Sequence, residues 1–226
     1  MQPMLWKPIV AGLLGMGLFR AVRFWVSKRP LRANTETAMR ESRNQSRRLI
    51  GHARGSHWHP LGKALKPPEI LRPWLLESGS LTRRLQQHFG KIDVRVLQQA
   101  LGQPYNDEGE GRFPLAVVRA VVLSGADQKP LVVAHSVLPA VPRGPLSIMF
   151  KQLGRQALGT LLFTRRGFVR RQREWAFLDT RHPLYRMTMA QIGNNAPDRL
   201  WARRAVFSLS RYPGQTVQVT EVFCMQ

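Results

Sequence analysis

The run at residues 115–123, LAVVRAVVL, restricts the backbone more than any other part of this chain. Its four valines resist helix and suit a pleated strand. Side chains of a strand alternate between faces, so Val117, Arg119, Val121 and Leu123 share one side and Val118, Ala120 and Val122 the other. Arg119 is the one polar residue among them. Two further runs repeat the pattern. In the last strand, Glu221 shares its side with Val217, Val219 and Phe223; in residues 131–138, His135 falls with Leu131, Val133 and Val137. An unpaired buried charge costs about several kcal/mol and is kept only with a partner or a task. Two readings follow. Either Arg119 and Glu221 form a structural ion pair, or three ionisable groups on apolar strands line a closed pocket for an anionic, largely apolar ligand.

The elements around these strands set the fold class. Residues 70–76 and 81–89 read as short helices separated by Gly79-Ser80, with Ser80 placed to cap the second. Strands are expected at 92–97, 115–124, 131–138, 205–210 and 216–223, with hairpin connections at 125–130 and 211–214. Residues 146–163 read as helix from the spacing of Ile148, Leu153, Leu158, Leu161 and Leu162. Strands grouped at both ends, with helix between, predict an α+β domain: a single antiparallel sheet flanked by helices, with an internal ligand pocket.

The charge balance sharpens the domain reading. The 226 residues hold 35 Lys+Arg against 13 Asp+Glu, a net charge of +22 that at first sight suggests a nucleic-acid or membrane-surface binder. Residues 1–66 carry 13 of the basic and 2 of the acidic side chains, so half of the net charge sits in less than a third of the chain. The expected organisation is a basic N-terminal extension at 1–56, outside the fold, and one domain at 57–226. Residues 8–19 lack charge, but Arg20 and Arg23 follow, well short of the roughly 20 apolar residues of a membrane span. Phe19, Phe24 and Trp25 interleaved with those arginines allow a peripheral contact with a membrane surface. His52, His57 and His59 have no carboxylate or thiolate company, and no metal site is expected there. A single cysteine, Cys224, excludes a disulfide framework and a thiolate metal cluster, and no ordered histidine accompanies it as a nucleophile.

Several short motifs, in order, carry a resemblance. They are Trp74-Leu75-Leu76 with Gly79-Ser80-Leu81-Thr82-Arg83-Arg84-Leu85, then Val118-Arg119-Ala120-Val121-Val122-Leu123, then Ala134-His135-Ser136-Val137-Leu138-Pro139. Leu153-Gly154-Arg155-Gln156-Ala157-Leu158-Gly159, Leu200-Trp201-Ala202-Arg203-Arg204 and Val219-Thr220-Glu221-Val222-Phe223 complete the series. Over roughly residues 57–226 the chain resembles the chorismate lyase family. Arg181-His182-Pro183-Leu184-Tyr185-Arg186 resembles an insertion of a longer bacterial branch. The resemblance implies a cytoplasmic, monomeric lyase that converts chorismate to 4-hydroxybenzoate and pyruvate, the first committed step of ubiquinone biosynthesis, without cofactor or metal. It implies that Arg119 binds the substrate carboxylate and Glu221 lies by the ring hydroxyl, these two being the catalytic pair. Leu81, His135 and Leu158 join them in binding substrate. His135 stands where better-known members carry a second arginine, and it offers neither a permanent charge nor a bidentate fork.

Two rival classes are weighed against this. A related fold serves as the ligand-sensing effector domain of bacterial transcription regulators, but residues 1–66 lack the three-helix pattern of a DNA-binding domain in front of it. A nucleic-acid binder would rest on Arg165-Arg166-Gly167-Phe168-Val169-Arg170-Arg171-Gln172-Arg173, which no RNA- or DNA-binding motif accompanies. That run is read instead as a solvated face beside the pocket, attracting a dianionic substrate, and no nucleic-acid partner is expected.

Overall fold

The structure is a computed structural model; it describes residues 58–61, 67–108, 114–140, 144, 146, 148–149, 153–154, 156–193 and 197–225. The extension read at 1–56, its membrane-surface segment, and His52 and His57 lie outside the described residues. Among those described, seven strands form one antiparallel sheet: β1 (His59–Pro60), β2 (Asp93–Gly102), β3 (Ala116–Ser124), β4 (Pro130–Pro139), β5 (Phe168–Asp179), β6 (Arg199–Leu209) and β7 (Tyr212–Phe223). Their order is β1-β5-β6-β7-β4-β3-β2. Four helices accompany them: α1 (Arg72–Leu75), α2 (Leu81–Phe89), α3 (Leu158–Thr164) and α4 (Pro183–Ile192). The expected α+β class holds.

Helix starts follow local chemistry. Ser80 caps α2 by accepting from the Arg83 amide at 3.3 Å. In α4, Pro183 occupies the first turn, where its missing N–H is no loss, and His182 Nδ1 accepts from the Leu184 amide at 3.1 Å. Gly193 ends that helix at φ +78°, a conformation glycine takes without penalty.

The sheet separates two cores. On one face Leu71, Trp74, Leu75, Leu81 and Leu85 of the α1–α2 region pack on Val121, Leu123, Val132 and Phe223. A second cluster on that face joins Leu158 and Leu162 of α3 to Phe207, Val217 and Val219. On the reverse face α4 lays Leu184 and Tyr185 against Ala176, Leu178, Leu200, Ala202 and Val222. Each large side chain buried this way contributes about 2 kcal/mol of transfer free energy.

Four sequence expectations change. The arginine-rich run takes on strand structure that its sequence pattern does not give: residues 168–173, none of them buried, open β5, a twelve-residue strand paired along its length with β6. β2 runs on to Gly102, its pairing continuing past a register irregularity between Val96 and Gln98, and β6 begins at Arg199, paired with β5 from its first residue. The helix read across 146–163 is interrupted: Gly154 has φ +43° and Ala157 is extended, so α3 starts only at Leu158. The turn expected at 211–214 is tighter, with pairing resumed at Tyr212.

Candidate active site

Strand register decides which ionisable groups can meet. Arg119 on β3 pairs opposite Ser136 on β4, Ser136 opposite Val219 on β7, and Ala134 opposite Glu221. Opposite residues share a face, so Arg119 and Glu221 point to the same side of the sheet, two strands apart. That is roughly 10 Å measured across the strands. His135 pairs opposite Ala120 and Thr220 and points to the reverse side. The structure thus brings Arg119 and Glu221 to one face and sends His135 to the other.

Arg119 is 2% exposed. Its Nη1 donates to Gln99 Oε1, and its Nη2 donates to the carbonyls of Gly154 and Gln156 at 3.0 Å each. Gln99 reaches this face because a bulge between Val96 and Gln98 shifts the parity of β2. The left-handed turn at Gly154 turns its carbonyl to the guanidinium. Nε has no hydrogen-bond partner although it is buried. Burial also holds the Arg119 pKa below the usual arginine range. Three partners are neutral oxygens; none carries charge.

Glu221 does not pair with Arg119, which removes the reading of those two as a structural ion pair. It accepts from Arg203 Nε at 2.6 Å, and Arg203 also donates Nη1 to the carbonyls of Trp74 (2.7 Å) and Glu77 (3.0 Å). A cavity beside it is lined by Leu81, Gly159, Arg170, Arg173, Arg203 and Glu221, with about 30 Å³ of open space. Leu81 opens α2 and is buried; Leu158 opens α3, buried in the core next to the cavity's Gly159 and Phe163. Arg170, Arg173 and Arg203 were not singled out by sequence reasoning as site residues. A bulge between Arg170 and Gln172 is the reason: it sets Arg170 opposite Phe207 and Arg173 opposite Ala205, both on the Glu221 side.

The reverse face holds its own buried polar group. His135 Nδ1 lies 2.8 Å from Glu108 Oε1, both nearly inaccessible, and Tyr105 stacks on the imidazole at 4.9 Å. Glu108 also accepts from the Tyr105 amide at 3.2 Å. His182 Nε2 lies 3.2 Å from Asp107 Oδ2, which accepts from Trp58 Nε1 at 2.7 Å. Arg204 pairs with Glu174 at 2.5 Å and stacks over Trp58. Burial, with Glu108 nearby, pushes the Tyr105 phenol up to about 12. Elsewhere His59 stacks on Trp175, and burial pushes the Cys224 thiol up to about 12, keeping it protonated and unreactive at neutral pH. Among the described residues no cluster of His, Cys, Asp and Glu could hold a metal ion, and no helix is long and apolar enough to cross a membrane.

Comparison with known proteins bears on this geometry. A family model described as chorismate lyase matches residues 55–226. The probable chorismate pyruvate-lyase of Dechloromonas aromatica is 43% identical over 157 residues, covering 68% of this chain and 86% of its own. That of Aromatoleum aromaticum is 40% identical over 161 residues, covering 69% and 85%. Among solved structures, the effector domain of PhnF from Mycobacterium smegmatis aligns over 66% of this chain and 90% of its own at 18% identity, with a TM-score of 0.45.

Proposed function

The chain belongs to the chorismate lyase family, and we infer that its reaction, the conversion of chorismate to 4-hydroxybenzoate and pyruvate for ubiquinone biosynthesis, is carried by Arg119 and Glu221. One observation supports this most. Arg119 is buried with a permanent charge, and its Nε–H has no partner. A carboxylate accepting from Nε would satisfy both the orphaned donor and the charge, through a charge-assisted bond of the stronger kind.

The chemistry asks little more. Chorismate has a ring carboxylate, a hydroxyl-bearing ring carbon and, next to it, an enolpyruvyl ether. Loss of the proton from the hydroxyl-bearing carbon drives electrons into the ring as the ring C–O bond breaks. The departing enolpyruvyl oxygen becomes the pyruvate ketone once a proton reaches its methylene carbon. Aromatisation supplies the driving force, so orientation and charge placement suffice. Arg119 holds the ring carboxylate. Glu221, on the same face and fixed by Arg203, hydrogen-bonds the ring hydroxyl and polarises the departing proton. Leu81 and Leu158 give the ring an apolar wall. His135, bonded to Glu108 behind the sheet, supports the strand that separates the two faces.

The open space of about 30 Å³ is room for water but not for chorismate, so the walls of this cavity must part for substrate to enter. On this reading the catalytic unit is residues 57–226, a cytoplasmic monomer, with residues 1–56 outside its fold. Mixing the protein with chorismate and following the absorbance of 4-hydroxybenzoate is the test. Enzyme-dependent formation of that product is expected; binding of chorismate without turnover would favour a ligand-sensing module instead.

A further inference from the structure

Chorismate carries two carboxylates, and Arg119 accounts for one. The enolpyruvyl ether sits on the ring carbon adjoining the hydroxyl-bearing carbon, so a hydroxyl at Glu221 places the second carboxylate at the Glu221 end of the cavity. His135 is on the wrong side of the sheet to meet it. The cations lining the cavity are Arg170, Arg173, Arg203 and Arg204, with the carboxylates of Glu77, Glu174 and Glu221 among them; Arg204 is held by Glu174.

Arg203 is committed to Glu221. The other two are not so committed. Arg170 donates Nη1 to the Ser78 carbonyl at 2.5 Å and lies over the Phe163 ring. Arg173 donates Nη2 to the carbonyls of Leu76 (2.8 Å) and Glu77 (3.1 Å). Among the described residues, neither has a carboxylate oxygen at ion-pair distance. A carbonyl dipole satisfies an N–H but leaves the charge without a counter-ion in contact. Burial first, then repulsion from Arg203 on each and from Arg170 on Arg173, holds both guanidiniums below the usual arginine range, although Glu77, and for Arg170 also Glu221, pulls the other way. Two half-buried cations, pressed together beside a catalytic carboxylate, suit an anion delivered by the substrate.

We propose that Arg170 and Arg173 form the subsite for the enolpyruvyl carboxylate of chorismate, a charge present on the substrate and absent from 4-hydroxybenzoate. The proposal rests on the lyase reading above. It gives the enzyme a contact that tells substrate from aromatic product, since the carboxylate leaves with pyruvate. It also couples the subsite to the loop at 76–78, whose carbonyls share the same guanidinium N–H groups.

The test compares two ligands on the full-length chain: steady-state kinetics with chorismate, and a titration with 4-hydroxybenzoate. Arg170→Gln and Arg173→Gln should each raise the KM for chorismate about tenfold or more, the scale of a lost charge-assisted contact. The Kd for 4-hydroxybenzoate should stay within about twofold. Arg173→Lys, which keeps the charge without the fork, should fall between wild type and Arg173→Gln, and it serves if the glutamine variant does not fold. An unchanged KM overturns the subsite. So does a product Kd that weakens in parallel, which would mark the two arginines as loop anchors only. A wild-type chain that leaves chorismate intact overturns the lyase reading itself, an outcome separate from either variant result.

Discussion

The two faces of the sheet both bury ionisable side chains, yet they treat them differently. Behind the sheet, His135 meets Glu108, Arg204 meets Glu174, and Asp107 meets His182 and Trp58. In front, Arg203 meets Glu221, but Arg119 has neutral partners and a bare Nε, and Arg170 and Arg173 donate only to carbonyls. A self-paired charge group holds a fold together, although a buried pair adds little net stability over an apolar replacement. An under-compensated one is poised for a ligand. Burial alone therefore does not mark a ligand-binding cation; burial without a contacting carboxylate does.

This contrast can be broken most forcefully at Arg119. Arg119→Ala should lower kcat/KM for chorismate by about a thousandfold or more. Near-normal steady-state activity in a folded variant would end its assignment as the carboxylate anchor. Glu221→Gln keeps the shape but removes the charge, and kcat should drop about a hundredfold, in line with loss of a proton-handling group. A kcat within a few fold of wild type would relegate Glu221 to holding Arg203.

The reverse face should answer in stability instead. Glu108→Gln leaves His135 without its carboxylate and should cost about 3 kcal/mol in urea unfolding. The KM for chorismate should be unaltered in the fraction that folds. A large KM change with little loss of stability would return His135 to the substrate side of the argument.

The smallest effect is alkaline. Because the folded protein raises the Tyr105 pKa to about 12 from an ordinary value of 10, it retains a proton that the unfolded chain releases. Stability from this group is present below pH 10 and falls as pH rises from about 10 to about 12. Tyr105→Phe should flatten the slope of unfolding free energy against pH in that window, and an unchanged slope would show that the phenol does not carry it.

Much of this was legible in the chain. Strict alternation in residues 115–123 and 217–223 placed Arg119 and Glu221 on apolar strands, and the ordered motifs tied them to one family. Ser80 announced the start of α2. What sequence alone determined, then, was that this chain folds as an α+β domain with charges inside apolar strands, since alternation and turn chemistry are local properties of neighbouring residues. Which charges meet was decided by tertiary structure. His135 and Arg119 each sit on an apolar strand, but only cross-strand register shows that they face opposite ways. Two bulges then override alternation: one brings Gln99 to Arg119, the other sets Arg170 and Arg173, three residues apart, on the same side. A bulge forms where partner strands pair around an extra residue. No stretch of its own sequence contains the partner, so the site's full set of cations waited for the fold.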